Sequence, residues 1–319
     1  MTNESFQSWL AGLDRLTDAQ WSQLAQAVQE RSEGTAAVAA IELQIDAERR
    51  CRHCQAGGAV RRGKTRGLRR YSCKQCGKTF NALSGTALSG LHHKQRWLAL
   101  GRSLVERESV RESARRCGVA VTTAFRWRHR FMAQAGQLQG RLEGLVEADE
   151  THVLHSRKGQ RLLARKARRR GGRARQRGLS KQQVPVLLAT ARGGATVGQV
   201  LASVSQASLQ AALEPLLASD AVLLSDGGRA YPGCARRLGI QHEAVNVSAG
   251  RRVRGSYHIQ TVNNRHQQFK AFLQPFRGVA TKYLDSYLRW FQQVGLVREA
   301  SPRSCLVAAM ARKCIRFAN

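Results

Sequence analysis

Acidic residues are scarce in this chain. Against 53 Lys and Arg there are only 21 Asp and Glu, a formal net charge of +32 over 319 residues. A carboxylate inside an apolar run is costly unless a cation or a hydrogen-bond donor meets it. Long apolar stretches are missing as well: no run of about eighteen apolar residues occurs, so no membrane span is expected. The first residues, Met1-Thr-Asn-Glu-Ser, show no basic region leading into an apolar one, so no secretory signal is expected either. In a reducing compartment the eight Cys are free thiols or metal ligands, not a disulfide framework. A single basic run is usually a solvated face. An excess of this size across the whole chain repels itself and fits a polyanionic partner, nucleic acid first of all.

The length suits one sizeable catalytic core with one or two small modules. Residues 5–48 read as helical, with Phe6, Trp9, Leu10, Leu13, Leu16, Trp21, Leu24 and Val28 near helical spacing and Thr17 and Asp18 as candidate caps between two helices. Residues 51–80 lack the apolar mass of a core. They hold Cys51-Arg-His-Cys54 and Cys73-Lys-Gln-Cys76, two knuckles at the spacing that gives one zinc four thiolates, which makes the expected zinc structural. A buried pair of thiols is the plainer alternative. His53 lies inside a complete four-thiolate shell and is expected to meet phosphate or solvent. Arg61, Arg62, Lys64, Arg66, Arg69 and Arg70, with Tyr71 and Phe80 beside them, suggest nucleic-acid contact.

Residues 94–135 are expected to be helical. From Ser109 to Phe131 the pattern reads helix, turn at Gly118, helix, with Ala114 at a close crossing, Val119 anchoring the turn and Thr122 as a cap. Ala124, Trp127 and Phe131 are expected to face inward and Arg126, Arg128 and Arg130 outward, as in a helix-turn-helix. Any short amphipathic helical hairpin imitates this pattern. A second basic feature runs from Arg157 to Lys181 among glycines and includes Arg168, Arg169 and Arg170. It reads as a mobile loop placed to neutralise phosphates, or as a merely solvated hairpin.

Two of the few acids end short apolar runs: Asp149 in Gly144-Leu-Val-Glu-Ala-Asp149 and Asp226 in Ala221-Val-Leu-Leu-Ser-Asp226. Between them, Val184–Thr190 and Thr196–Val204 read as strands and the region near Leu209 to Leu217 as a helix. Strand, strand, strand, helix, strand, with acids on the first and fourth strands, is the order of an RNase H-like core, in which those two strands lie side by side and their acids can share metal. Either Asp alone is equally well a strand-end cap or a turn former, as Asp226-Gly-Gly suggests. A third acid on a later helix is lacking. Asn263 and Lys270 stand there instead, seven positions apart and so on one helical face. Glu150 is turned by strand alternation to the other face, and Glu243 is the remaining rival acid. His258 sits at the helix start as a cap or phosphate contact, and His266 either packs or faces the same cleft.

With these residues in place, the chain resembles the ISXO-like insertion-sequence transposases, a zinc-ribbon branch of the DDE superfamily. The matching stretches are Val146–Thr151, Leu223–Tyr231, Val262–Lys270 and Phe276–Phe291, within roughly residues 48–295. The resemblance implies an Asp-Asp-Asn-Lys site at Asp149, Asp226, Asn263 and Lys270. It also implies Mg²⁺ or Mn²⁺ held by Asp149, Asp226 and Asn263, a homo-oligomer, and DNA partners comprising element-end inverted repeats and target DNA.

The fold class expected is α/β, an RNase H-like catalytic core with a mixed five-stranded sheet and flanking helices. The expected layout is a helical segment (1–48), a zinc ribbon (49–82), a helix-turn-helix (92–138), a catalytic domain (143–295) with a basic loop (157–181), and a helical tail (296–319). The activity implied is cleavage of element ends and joining of the 3′ hydroxyl to target DNA, in the cytoplasm, at the nucleoid of a prokaryotic cell. A non-catalytic zinc-ribbon regulator or an inactive relic would keep the charge and the cysteines, but has no need of two strand-end acids followed by Asn and Lys on one helix face. A structure-selective nuclease of RNase H type would keep the acids without the recognition modules.

Overall fold

The computed structural model describes residues 2–45, 47–133, 141–163, 174, 180, 182–245, 256–297 and 299–311. The chain forms two compact units, residues 1–131 with 301–319, and residues 132–300.

The first unit begins with helices α1 (Asn3–Ala11) and α2 (Asp18–Glu42). Thr17 ends the linker between them with a reciprocal cap: its Oγ1 accepts the Gln20 amide at 3.3 Å, while its own amide donates to Gln20 Oε1 at 2.9 Å, an arrangement worth about 1 kcal/mol. The apolar residues at helical spacing do not bury here. Phe6, Trp9, Trp21 and Val28 are exposed, and only the end of α2 packs, through Gly34, Ala37, Ala40 and Ile41.

Strands β1 (Val60–Thr65), β2 (Leu68–Ser72) and β3 (Thr79–Phe80) then form an antiparallel sheet in that order. The β1–β2 turn places Arg66 and Gly67 at positive φ (51° and 77°), the left-handed pair that a two-residue hairpin requires. Helices α3 (Trp97–Val105), α4 (Val110–Cys117) and α5 (Val121–Met132) follow, packed on Trp97, Leu100, Leu104, Ala114, Trp127 and Phe131. A C-terminal helix, Pro302–Ala309, crosses α3 so closely that a Cβ on Gly101 would meet the Pro302 carbonyl at 2.5 Å.

The second unit is built on strands β4 (Leu145–Leu154), β5 (Gln183–Ala191), β6 (Thr196–Val200), β7 (Val222–Ser225) and β8 (Gln241–Ala244), in the order β6-β5-β4-β7-β8. Pairing is antiparallel among β4, β5 and β6 and parallel among β4, β7 and β8, so the sheet is mixed. Helices α6 (Gln206–Leu213) and α7 (Ala230–Leu238) cover one face, where Val146, Ala148, Leu187, Leu209, Leu223 and Tyr231 form the main core. Helix α8 (Gln260–Leu273) lies against the opposite face of β4. It joins helix α9 (Leu284–Trp290) and the π-turn Phe291–Gly295 through an aromatic cluster that includes Phe272, Phe276, Trp290 and Phe291. Among the described residues no helix is long and apolar enough to cross a membrane.

Candidate functional site

β4 continues past Asp149 to Leu154, so Asp149 does not end its strand as expected. What ends there is the pairing with β7: the parallel register runs only from Leu145↔Val222 to Glu147↔Leu224, while β5 stays paired to β4 through Asp149↔Leu188 and beyond. Asp149 therefore stands at the fork where β7 leaves β4, and Asp226 follows the last residue of β7 on that same side. Asp226 Oδ1 accepts the Gly228 amide at 2.9 Å, the turn-forming role open from the sequence, and leaves its second oxygen in an exposed position.

Electrostatics tie the two acids together. Burial first, then the charge of Asp226, pushes the Asp149 carboxyl up to about 7, against smaller opposing pulls from the Glu150 amide, which donates to Oδ1 at 2.8 Å, and from Lys270. Glu150 turns to the other face, as alternation requires, and accepts a hydrogen bond from the buried Tyr231 hydroxyl at 2.6 Å. Glu243 lies on β8 and accepts from Gln241 Nε2 at 3.1 Å.

On α8, Asn263, His266 and Lys270 follow one another at i, i+3 and i+7, with Asn263 and Lys270 exposed and His266 buried. His266 Nε2 lies 3.2 Å from the Asp149 carbonyl oxygen, and its Nδ1 lies 3.7 Å from Asp149 Oδ2. Burial pushes this imidazole down to about 4, so it is neutral near pH 7 and its Nε2–H donates to the carbonyl. Packing and proximity to the cleft thus coincide in His266. His258 precedes the helix, with Nδ1 3.3 Å from the Gln260 amide and 3.2 Å from Glu147 Oε1.

Glu147 is the residue that sequence reasoning passed over. Its side chain is fully buried and accepts from Arg192 Nε (3.0 Å), Thr261 Oγ1 (2.9 Å) and the Val262 amide (2.9 Å). A signal was present in the strand period, which puts residue 147 on the same face as 149. A second lay in the start of α8, where Ile259 offers no capping side chain.

In the first unit the four cysteines converge as their spacing predicts: the sulfurs of Cys51, Cys54, Cys73 and Cys76 all lie within 4.8 Å of one another. Cys51 to Cys76 is 3.7 Å and Cys54 to Cys73 is 3.6 Å, close to the ~3.8 Å edge of a tetrahedron with ~2.3 Å zinc–sulfur bonds. The His53 amide points at Cys51 Sγ and the Cys76 amide at Cys73 Sγ. Such amides favour thiolate, and the Cys76 amide leads in pulling Cys73 down to about 7. His53 Nε2 lies 3.3 Å from the Thr79 carbonyl oxygen. Tyr71 and Phe80 stack on each other inside the ribbon core, with ring centroids 5.6 Å apart, so they are not presented to a ligand; Arg61, Arg62, Lys64, Arg66, Arg69 and Arg70 are exposed.

In the helical module Ala124, Trp127 and Phe131 face inward as expected, and Arg126 is exposed. Arg128 is not. It is fully buried, donating from Nη2 to the Glu108 carbonyl at 2.6 Å and to Ser113 Oγ at 2.5 Å, so it braces the crossing of α5 with α4. The reason is helical geometry: 128 follows 124 by four positions and shares its inward face. Arg130 is exposed but spends Nη1 on the Ala87 carbonyl at 3.1 Å. The outward surface of α5 carries Val121, Thr122, Phe125 and Arg126. Since α5 starts at Val121, Thr122 lies within its first turn and is not its cap. Arg168, Arg169 and Arg170 lie outside the described residues. At the root of that basic segment Lys158 donates to the Phe276 and Gly278 carbonyls at 3.1 and 2.7 Å, which makes it a fastening and not a free charge.

Residues 141–292 match the ISXO2-like transposase domain, and residues 93–146 match the homeodomain-like domain. A protein of Halobacterium salinarum described as an uncharacterized protein in transposable element ISH50 is 30% identical over 249 residues, spanning 76% of this chain and 83% of its own length. Among solved structures, the pre-cleavage Mos1 transpososome shares 11% identity, covering 66% of this chain and 78% of the other, with a TM-score of 0.24, too low to indicate a shared fold.

Proposed function

This chain belongs to the ISXO2-like transposases of insertion sequences, and from that premise we propose that it binds the terminal inverted repeats of its element, cleaves the element ends and joins each 3′ hydroxyl to target DNA. The observation that supports this most is the placing of Asp149 and Asp226 at the β4–β7 fork, where burial and then the neighbouring Asp226 charge make Asp149 costly to ionise and a cation would relieve it. We assign residues 143–295 to an RNase H-like catalytic domain, 49–82 to a zinc ribbon, 92–138 to a helix-turn-helix, and 1–48 and 296–319 to helical flanks.

In this reading Asp149 and Asp226 hold divalent metal, Mg²⁺ or Mn²⁺, with Asn263 adding an uncharged carbonyl oxygen. When bound, the metal supplies the Lewis acidity for in-line displacement at phosphorus, first by water and then by the 3′ hydroxyl. Lys270 serves as a point charge for a phosphate of the reacting strand. His266 stays neutral and holds the Asp149 backbone in place. The ribbon and α5 recognise the element ends, α5 through Arg126 and the apolar Val121 and Phe125 beside it, residue types suited to guanine and to thymine methyl groups respectively. The structural zinc belongs to Cys51, Cys54, Cys73 and Cys76. Bringing two element ends together calls for a homo-oligomer.

The test is strand transfer of a pre-cut, labelled element end across Mg²⁺ and Mn²⁺ concentrations. Asp149→Ala and Asp226→Ala should abolish cleavage and joining with end binding intact. Asn263→Ala should be severely impaired, and Asn263→Asp should retain joining with tighter metal binding. Joining by Asn263→Ala at the parent level removes Asn263 from the site and makes Glu243 the next candidate. End binding by the parent without any joining would identify a DNA-binding regulator instead.

A further inference from the structure

We infer that Glu147 is a positioning residue, the carboxylate that fixes the register of α8 against β4 and thereby sets Asn263 and Lys270 beside Asp149. The starting point is a vacancy in the local sequence. The first amides of any α-helix lack intrahelical acceptors; Ile259 at the cap position offers none, and His258 Nδ1 meets only the Gln260 amide, at 3.3 Å, which leaves the Val262 amide to find a partner elsewhere. Glu147 fills that role from the strand: one oxygen accepts the Val262 amide at 2.9 Å, and the other accepts Thr261 Oγ1 at 2.9 Å. Its charge suits the positive end of the helix. Arg192 completes the arrangement, donating Nε to Glu147 at 3.0 Å and Nη2 to the Ser256 carbonyl at 2.7 Å, so the approach to α8 is fastened to the same carboxylate.

The spacing of strand and helix makes this a register device. Glu147 and Asp149 share one face of β4, about 6.6 Å apart along the strand. Val262 and His266 are four residues apart on α8, about 6 Å along its axis. Those two rises nearly match, and both rungs are made: Glu147 to the Val262 amide, and the Asp149 carbonyl to His266 Nε2 at 3.2 Å. Asn263 follows the first rung by one residue and Lys270 follows the second by four, so both take their places from this ladder. Glu147 is unsuited to hold metal itself, being fully buried with both oxygens already accepting hydrogen bonds. Its catalytic consequence, though not its structural one, depends on the strand-transfer chemistry proposed above.

The experiment pairs a double-mutant cycle with hydrogen exchange on the full-length protein. Glu147→Gln keeps the shape but removes the charge and puts an amide NH₂ where only acceptors fit; Thr261→Val is a milder break that leaves Glu147 charged. Kcat for joining a pre-cut end should fall about 10- to 100-fold in Glu147→Gln and less in Thr261→Val, with end binding unchanged, the range expected for losing a charge-assisted hydrogen bond. In an Asn263→Ala background the same Glu147→Gln change should cost less, because one of the two residues it positions is gone. The amides of the first turn of α8 should exchange faster in Glu147→Gln while those of β4 stay protected. Fully additive losses, or losses that follow the folded fraction, would overturn the role. So would unchanged exchange in α8. Faster exchange in a protein whose parent form never joins DNA would sustain the register device and defeat the transposase reading instead.

Discussion

The four-cysteine site and the β4–α8 site are assembled on opposite plans. Cys51, Cys54, Cys73 and Cys76 come from two short knuckles of one ribbon, and the backbone amides of His53 and Cys76 already point at their sulfurs. Local amides meet two of the four sulfurs, those of Cys51 and Cys73, and little besides the ribbon's own small core of Ala59, Tyr71 and Phe80 holds the four together. The β4–α8 site draws on two strands and a helix distant in sequence, brought together by sheet pairing and by the hydrogen bonds between β4 and α8. There, one carboxylate, Glu147, has hydrogen-bond donors on both oxygens, while the other, Asp149, has the Glu150 amide on Oδ1 at 2.8 Å and only the more distant His266 Nδ1 facing Oδ2. Two carboxylates on one face of one strand thus differ in how fully the fold satisfies them.

The largest effect that would break this contrast lies in the ribbon. Replacing Cys73 and Cys76 together by Ser should remove about one zinc per chain, read by elemental analysis, and should unfold the ribbon, because metal binding supplies most of the folding free energy of so small a unit. Retained metal would place it elsewhere. Treating the parent protein with a strong zinc chelator should likewise unfold the ribbon while the β4–α8 site keeps its secondary structure.

Next in size is the division of labour on α5. Arg128→Ala removes a buried cation whose guanidinium binds the Glu108 carbonyl and Ser113, and should destabilise the helical module by about 3 kcal/mol. Arg126→Ala should leave melting unchanged and weaken binding to element ends with a loss of about 0.9 in the log-log salt slope if it contacts a phosphate, or reduced sequence discrimination if it contacts guanine. Equal melting for the two variants would restore the outward arrangement of Arg128 expected from the helix-turn-helix pattern.

Legibility in the sequence followed the same contrast. The ribbon was readable because its ligands are neighbours. The sheet was readable as an order of strands, since β5 and β7 are short, nearly continuous apolar runs and the two acids fall in the first strand and just after the fourth. What could not be read is which apolar spacing becomes a core: Phe6, Trp9 and Trp21 keep helical spacing and stay exposed, because periodicity names a face and not its partner. Arg128 misled for the opposite reason, charge suggesting exposure where helical position dictates burial. The role of Glu147 depends on Thr261, Val262 and Arg192, which no spacing rule connects to residue 147.

The smallest effect in energy tests the Asp149 side of the comparison. In metal-free protein the Asp149 carboxyl titrates near 7 against 3.8 in the ordinary case, with burial the first cause and Asp226 the second. Between those values the folded state binds more protons than the unfolded state, so this group lowers stability progressively as pH rises from about 4 to 7, and the full penalty persists above 7. His266 runs the other way: pushed down to about 4 by burial, it binds fewer protons when folded, and its contribution to stability rises between about 4 and 6.5. The two trends oppose each other in the parent, so the difference between Asp149→Asn and parent isolates the acid. With EDTA present, Asp149→Asn should melt higher than the parent at pH 8, by on the order of 2 kcal/mol in stability after allowing for residual solvent around a side chain 19% exposed. The advantage should shrink steadily below pH 7 and vanish near pH 4. Adding Mn²⁺ at pH 8 should then raise the melting temperature of the parent and not of the variant, reducing or reversing the gap. A pH-independent difference would mean that Asp149 is already compensated in the folded protein, and that the fork between β4 and β7 is a structural junction and not a site held ready for a cation.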